Sequence, residues 1–229
     1  MAITKRKGNI FNSKMQTVVN TVNCVGVMGK GIALVYKLRY PKLFDAYKEK
    51  CNQKEIKTGS LWLYTEQTNA PWILNFPTKF HWKYPSKMEY VERGLQCFVE
   101  DYEKLGITSI AFPMLGAYNG GLDPDQVLEK MESYLSQCDI PIEIYEYDPT
   151  ASDDLYETFA SKWKSFDLAQ IARETGMRKD RIKKVQETID SGDVRSMMGL
   201  INMKGIGLVT MEQCFAFVMH TPKQPNLFD

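Results

Sequence analysis

Residues 15–40 read MQTVVNTVNCVGVMGKGIALVYKLRY. The Val-rich run over 15–22 has the continuous apolar character of a buried strand. The run Asn23-Cys24-Val25-Gly26-Val27-Met28-Gly29-Lys30-Gly31 is a glycine-punctuated loop. Ile32 to Tyr40 then places Ile32, Leu34, Val35 and Leu38 at helical spacing, closed by Pro41. Glycines at 26, 29 and 31 let the backbone adopt positive φ and approach a ligand closely. Successive N–H groups then face inward, and the following helix adds the positive end of its dipole. Together they form a cradle for an anion such as a pyrophosphate. The spacing is neither GxxxxGKS/T nor GxGxxG. For this loop alone, a plain strand-to-helix turn is the competing reading.

The same alternation extends in both directions. Ile3 to Phe11 predicts a short strand ending near Gly8-Asn9, and Leu43 to Cys51 a second helix. SLWLY (60–64) and WILNF (72–76) predict strands with a turn at Asn69-Ala70-Pro71 between them. Pro77 to Trp82 reads as a loop leaving the second of these. Ser86 to Leu105 is amphipathic, with Met88, Val91, Leu95 and Phe98 on one face. SIAFP (109–113) is a further buried strand, Pro124 to Ser136 a helix and PIEIYEY (141–147) the last strand. Strands alternating with helices predict an α/β fold with a parallel or mixed sheet covered on both faces. Ligands on such sheets bind beyond the carboxyl ends of the strands.

A second glycine-rich loop, Met114-Leu115-Gly116-Ala117-Tyr118-Asn119-Gly120-Gly121, follows the strand at 109–113. Two such loops in one α/β unit are better explained by a diphosphate held from both sides than by two coincidental turns. Tyr118 is placed either as a lid over the ligand or as a solvent-facing turn residue.

The bulk composition narrows the classes. The 229 residues carry a net charge of +1, so no global field draws the chain to a polyanion. The odd number of cysteines, five, with no CxxC pair, argues against a disulfide framework, and only two histidines weaken a metal reading. No apolar leader opens the sequence and no run long enough for a membrane span occurs, which points to a reducing cytoplasm.

Three stretches carry a family resemblance: VNTVNCVGVMGKGIAL (19–34), ILNFPTKFHW (73–82) and PMLGAYNGGL (113–122). In the same order and spacing, over about residues 3–148, the chain resembles a macrodomain. More narrowly it resembles the DarG-type macrodomains, which are related to the terminal ADP-ribose glycohydrolases like the ALC macrodomain. The resemblance implies a three-layer α/β/α module over residues 1–150 with a mixed central sheet, binding ADP-ribose. DarG-type proteins are DNA ADP-ribosyl glycohydrolases that act as antitoxins to DarT-type toxins. The implied activity is removal of ADP-ribose from a nucleobase, chiefly thymidine in DNA. The implied partners are ADP-ribose, ADP-ribosylated DNA and a DarT-like toxin, with no cofactor and no metal.

Carried over by motif, Lys79 in FPTK and Asn23 in VNC fall on positions implicated in catalysis. The ADP-ribose contacts fall on Asn9 and Ile10 in GNIF, then on Gly26, Val27, Met28, Gly29, Lys30, Gly31 and Ile32. They continue with Pro77 and Thr78, with Leu115, Gly116, Ala117, Tyr118, Asn119, Gly120 and Gly121, and with Tyr147. Many macrodomains carry Asp where this chain has Asn9, which would meet the adenine amino group. Tyr145 or Tyr147 would stack on adenine, or simply pack. A relative with a covalent lysine intermediate also uses an aspartate in the second loop. Here that position is Gly120, with Asp123 two to three residues on.

The chemistry is consistent on its own terms. Breaking an N-glycosidic bond builds positive charge on the anomeric carbon. A lysine amine there either adds as a nucleophile, if its pKa is lowered, or stays charged and protonates the leaving base. The sequence leaves both open, with Lys30 and His81 as candidate cationic neighbours. Asn23 would hold a ribose hydroxyl or a water. His81 and Trp82 are placed toward the nucleic acid, the indole stacking on a base. A non-catalytic ADP-ribose reader and a hydrolase of other ADP-ribose derivatives share these features. So does an antitoxin that works by binding its toxin.

Asp148 to Asp154 is polar and ends the alternation, and residues 155–229 predict a small helical domain with a possible DNA- or partner-binding role. Leu168 to Gly176 looks like the first half of a helix-turn-helix. Residues 160–184 hold eight Lys and Arg against three Asp and Glu, either a phosphate-facing patch or a solvated helix face. Lys204-Gly205-Ile206-Gly207 resembles a helix-hairpin-helix turn, with a plain loop as the alternative. The region is shorter than the toxin-binding part of DarG-type proteins, and its tail TPKQPNLFD is Pro-rich.

Overall fold

A computed structural model of the chain describes residues 3–66 and 71–219. The turn expected at Asn69-Ala70 and the tail at 221–229 lie outside the described residues. The chain divides into two compact units, Met1–Pro149 and Thr150–Asp229.

The first unit runs β1 (Ile3–Gly8), β2 (Thr17–Asn23), α1 (Gly31–Arg39), α2 (Pro41–Asn52), β3 (Trp62–Tyr64), β4 (Trp72–Lys79), α3 (Met88–Asp101), β5 (Ile110–Pro113), α4 (Pro124–Leu135) and β6 (Ile142–Tyr147). The strands form one sheet in the order β1-β6-β5-β2-β4-β3. The β3–β4 pair is antiparallel and the other pairs are parallel, so the sheet is mixed. Five strands therefore present their carboxyl ends along one edge.

Side-chain alternation builds the layers. Val18, Ile73, Ala111 and Tyr145 join Tyr36 of α1 and Leu43 of α2 in one core. Their neighbours Val19, Leu74, Phe112 and Ile144 face the other way. There they meet Val91, Leu95 and Phe98 of α3 and Val127, Met131 and Leu135 of α4. Helices thus cover both faces, and the fold is α/β/α. Gly94 of α3 lets the helix sit down on Phe76, since a Cβ there would lie 2.5 Å from Cε1 of that fully buried ring. We expect Gly94→Ala to destabilise the fold by about 2 kcal/mol, because overpacking outweighs the helix-propensity gain of about 1 kcal/mol. The measurement is a lowered urea midpoint at unchanged m-value.

Two boundaries differ from the sequence reading. Pro77, Thr78 and Lys79 belong to β4, not to a loop leaving it. β3 pairs only as far as Asn75, so beyond it β4 has one free side, where a proline costs no ladder hydrogen bond. The pairing of β2 with β4 slips at this point: Val22 pairs with Pro77, but Asn23 pairs with Lys79. One extra residue is thereby accommodated in β4 as a bulge. The helix expected from Ser86 begins instead at Met88, because the Ser86 N–H bonds to Gly120 O at 2.9 Å.

The second unit contains α5 (Tyr156–Ser165), α6 (Leu168–Thr175), α7 (Lys179–Ser191), α8 (Met197–Ile201) and α9 (Leu208–Met219). Phe159, Trp163 and Phe217 form its aromatic centre, with the Trp163 and Phe217 rings 5.5 Å apart. A capping box between Asp167 and Gln170 opens α6, and left-handed Gly176 ends it. Helix, tight turn and helix therefore occur where the sequence suggested. Within the basic run, Lys164, Arg178 and Lys184 lie 3.7–3.8 Å from Asp190, Asp180 and Glu187. The 204–207 segment is a turn between α8 and α9, with Ile206 N bonding Met203 O at 3.0 Å, Gly205 at φ +91° and Ile206 buried. Among the described residues, no helix is long and apolar enough to cross a membrane.

Candidate functional site

β5, β2 and β4 are neighbours, so the second glycine loop, the first glycine loop and Lys79 leave adjacent strand ends. The structure brings them into contact. Lys79 Nζ donates to the backbone oxygen of Asn119 at 2.7 Å. A Cβ on Gly31 would come within 2.5 Å of Asn119 Nδ2, so the start of α1 faces the second loop directly. Gly31 and Gly116 both hold positive φ (+57° and +69°), which L-residues adopt at a cost. Gly120 is required for space instead: a Cβ there would lie 2.6 Å from Ser86 Oγ.

α1 begins at Gly31 with no side-chain cap from Lys30. The first N–H groups of a helix have no partner within it, so this end is disposed toward an anion between the loops. Several expected contact residues offer only backbone to the cleft. Met28 turns into the core beside Cys24, Tyr47 and Cys51, and Leu115 is fully buried on the α3–α4 face. Ile32 packs against the α1–α2 core.

The Asn23 amide is engaged by the first loop itself. Its Nδ2 donates to Val27 O at 2.5 Å. Its Oδ1 accepts from Val25 N at 3.0 Å, Val27 N at 3.4 Å and the Tyr47 hydroxyl at 3.2 Å. One side chain thus folds residues 23–27 into a tight arch.

Lys79 has its pKa lowered from the ordinary lysine value, and burial is the cause. Neither Lys30 nor His81, the cationic neighbours expected from the sequence, contributes to the shift. The amine can donate one N–H to Asn119 O and still present a lone pair. Asp123 does not supply a second acid at this point. Its carboxylate accepts from Gln126 N at 3.0 Å and caps α4.

Three supporting residues were not foreseen. Tyr47 is fully buried, donates its hydroxyl to Asn23 O at 2.6 Å, and has its own pKa raised by burial. Cys24 ties the first loop to β4, its N–H bonding Phe80 O at 3.1 Å and its thiol Lys79 O at 3.4 Å. Burial raises that thiol to about 11, which keeps it protonated. Ser86 lies beneath the second loop with a buried hydroxyl that has no hydrogen-bond partner among the described residues. Tyr47 carried a signal, an aromatic at a buried helix position; Ser86 and Cys24 carried none beyond their neighbours.

At the far end of the edge, Asn9 is buried and its oxygen accepts from Phe11 N at 3.1 Å, capping a 3-10 turn over Ile10–Asn12. Ile10 is buried beside Tyr145, which belongs to the same core. Tyr147 is half-buried at the strand end. Its N–H bonds the Tyr118 hydroxyl at 3.3 Å, and Tyr118 itself is exposed at φ +40°. Tyr118 therefore spans from the second loop to β6. His81 and Trp82 lie just past Lys79 with their rings stacked at 5.6 Å. Among the described residues, no three His, Cys, Asp or Glu side chains are grouped to hold a metal ion.

A mixed sheet whose carboxyl edge carries two facing glycine loops and a strand-end lysine defines an α/β module with a loop-built cleft at that edge. Residues 19–131 match the Macro domain family model, and the chain belongs to the macrodomain family. The DNA ADP-ribosyl glycohydrolase of Mycobacterium tuberculosis is 44% identical over 146 residues, 62% of this chain and 42% of that protein. The solved macrodomain of Mycobacterium tuberculosis DarG superposes with a TM-score of 0.61 at 44% identity, covering 63% of this chain and 97% of that one. Thermosipho africanus DarTG in complex with ADP-ribose gives 0.60 at 38% identity, covering 63% and 42%. The chain spans about two fifths of the length of the curated relatives it matches.

Proposed function

We propose that this protein is a DNA ADP-ribosyl glycohydrolase in which Lys79 is the nucleophile. The observation that carries the reading is the partly buried Lys79 amine at the mouth of the two glycine loops, its Nζ 2.7 Å from Asn119 O. The relative of M. tuberculosis is named for this activity, and the matched T. africanus DarTG structure is a complex with ADP-ribose. In this reading the diphosphate lies between Gly31 and the second loop, the adenine toward Asn9 and Tyr147, and the distal ribose beside Lys79.

The neutral amine attacks the anomeric carbon as the bond to the base nitrogen breaks and its electron pair leaves with the base. The new ammonium gives up a proton to the departing base. Water then displaces the amine from the sugar carbon, releasing ADP-ribose and regenerating Lys79. Burial lowers the amine pKa, which is the direction a nucleophilic lysine requires. The biological counterpart would be a DNA ADP-ribosyl transferase of the DarT kind, whose product this activity erases.

The test is incubation with an ADP-ribosylated thymidine oligonucleotide. We expect release of free ADP-ribose and of unmodified DNA. Tight ADP-ribose binding without release would make the protein a reader. Turnover only of small ADP-ribose derivatives would replace DNA as the substrate.

A further inference from the structure

The described part of the first unit exposes six large hydrophobic side chains, and all of them sit at the carboxyl edge of the sheet. Three border the glycine loops. The other three, Phe80, Trp82 and Tyr84, follow Lys79 at alternate positions and are 61%, 49% and 64% exposed. They are held in place by a compact turn. Tyr84 N donates to His81 O at 3.1 Å, Lys83 N donates to His81 Nδ1 at 3.2 Å, and the His81 ring lies 5.6 Å from both Trp82 and Tyr84. Lys83 Nζ stands 5.3 Å from the Trp82 ring centroid. Lys83 lies between Trp82 and Tyr84 in sequence, Lys87 follows three residues on with its Nζ 5.6 Å from the Tyr90 ring centroid, and residues 77–88 contain no acidic side chain.

Clustered exposed rings on a folded surface mark a ligand face. Their position, one to five residues beyond the amine and outside the diphosphate cradle, puts them where the rest of a modified strand must run. We infer that Phe80, Trp82 and Tyr84 form a stacking platform for the nucleobases next to the modified one in an unpaired DNA strand, with Lys83 and Lys87 meeting its phosphates. The inference rests on the glycohydrolase reading for the identity of the strand. Stacking needs a free π-face, which a base inside a duplex does not offer, so the platform selects single strands. The lysines supply the salt-dependent part of the affinity.

The experiment compares wild type with Trp82→Ala and the triple variant F80A/W82A/Y84A on three substrates. These are ADP-ribosylated thymidine nucleoside, an ADP-ribosylated single-stranded oligonucleotide, and the same oligonucleotide annealed to its complement. All three positions are exposed, and unchanged ADP-ribose affinity verifies the fold. For Trp82→Ala we expect KM on the single strand to rise about 10-fold, with kcat/KM on the nucleoside unchanged. Equal losses on strand and nucleoside, or no loss on either, would overturn the platform. A parallel anisotropy titration uses a labelled, unmodified single-stranded oligonucleotide. If wild type releases ADP-ribose from nothing, the glycohydrolase reading fails while this titration still decides the platform. Weaker binding by the triple variant supports it, and equal binding by both proteins, or equal binding of duplex and single strand, overturns it.

Discussion

Lys79→Ala is expected to lower the rate of ADP-ribose release from a modified oligonucleotide by on the order of 10³-fold, while ADP-ribose binds with nearly unchanged affinity. The side chain touches the second loop through one hydrogen bond to Asn119 O, and the cradle itself is built from other residues. Chemistry is therefore lost and binding kept. Lys79→Arg separates nucleophile from charge: a guanidinium keeps the cation and the donor but has no usable lone pair. The nucleophile reading predicts that it is as inactive as the alanine variant. The pH dependence follows in sign from the lowered amine pKa. The neutral form is gained as pH rises, so the rate climbs with pH and levels off below the ordinary lysine range. A proton donor would give the opposite slope. A rate that falls across this range, with Lys79→Arg active, would move Lys79 to the donor role.

Asn23→Ala is expected to do the reverse, weakening ADP-ribose by about 30-fold, which is about 2 kcal/mol. The amide makes one donor and three acceptor contacts, three of them to the backbone of residues 25–27. Its removal leaves buried loop groups unpaired, each worth about 1–3 kcal/mol, and the arch that sets Gly26 to Gly31 loosens. Isothermal titration with free ADP-ribose is the measurement. Tyr47→Phe, which removes one hydroxyl from the same network, should cost a fraction of that. An unchanged affinity in Asn23→Ala would mean that the first loop holds its shape without the amide.

Much of the fold was legible because its signals are local. The buried run at 17–23, the alternation of strands with helices and the two glycine loops each announce themselves within a dozen residues. The sheet order also brings the loops together as that alternation implies. What stayed hidden was relational. Pro77 read as a strand end because proline usually is one; only the shortness of β3 beside it makes the residue acceptable within the sheet. Asn23 reads as a catalytic position through the VNC motif, and its part in folding the first loop is not visible there. The partner that claims its oxygen, Tyr47, is 24 residues away on α2. The burial of Lys79 depends on the second loop arriving from 40 residues downstream. Ser86 had no sequence signal, since its place is defined by the two glycines lying over it.

The slip between β2 and β4 gives the scaffold a reading frame. Side chains along a strand point to alternate sides, and the surplus residue before Lys79 lets Asn23 stand opposite the amine rather than opposite Thr78. Delete Thr78 and the slip is lost: Lys79 would follow Pro77 directly and meet Asn23 on a regular ladder, without the local bend that the extra residue puts into β4. The direction in which the strand delivers Lys79 is thus set by one residue of strand length rather than by any side chain of the glycine loops.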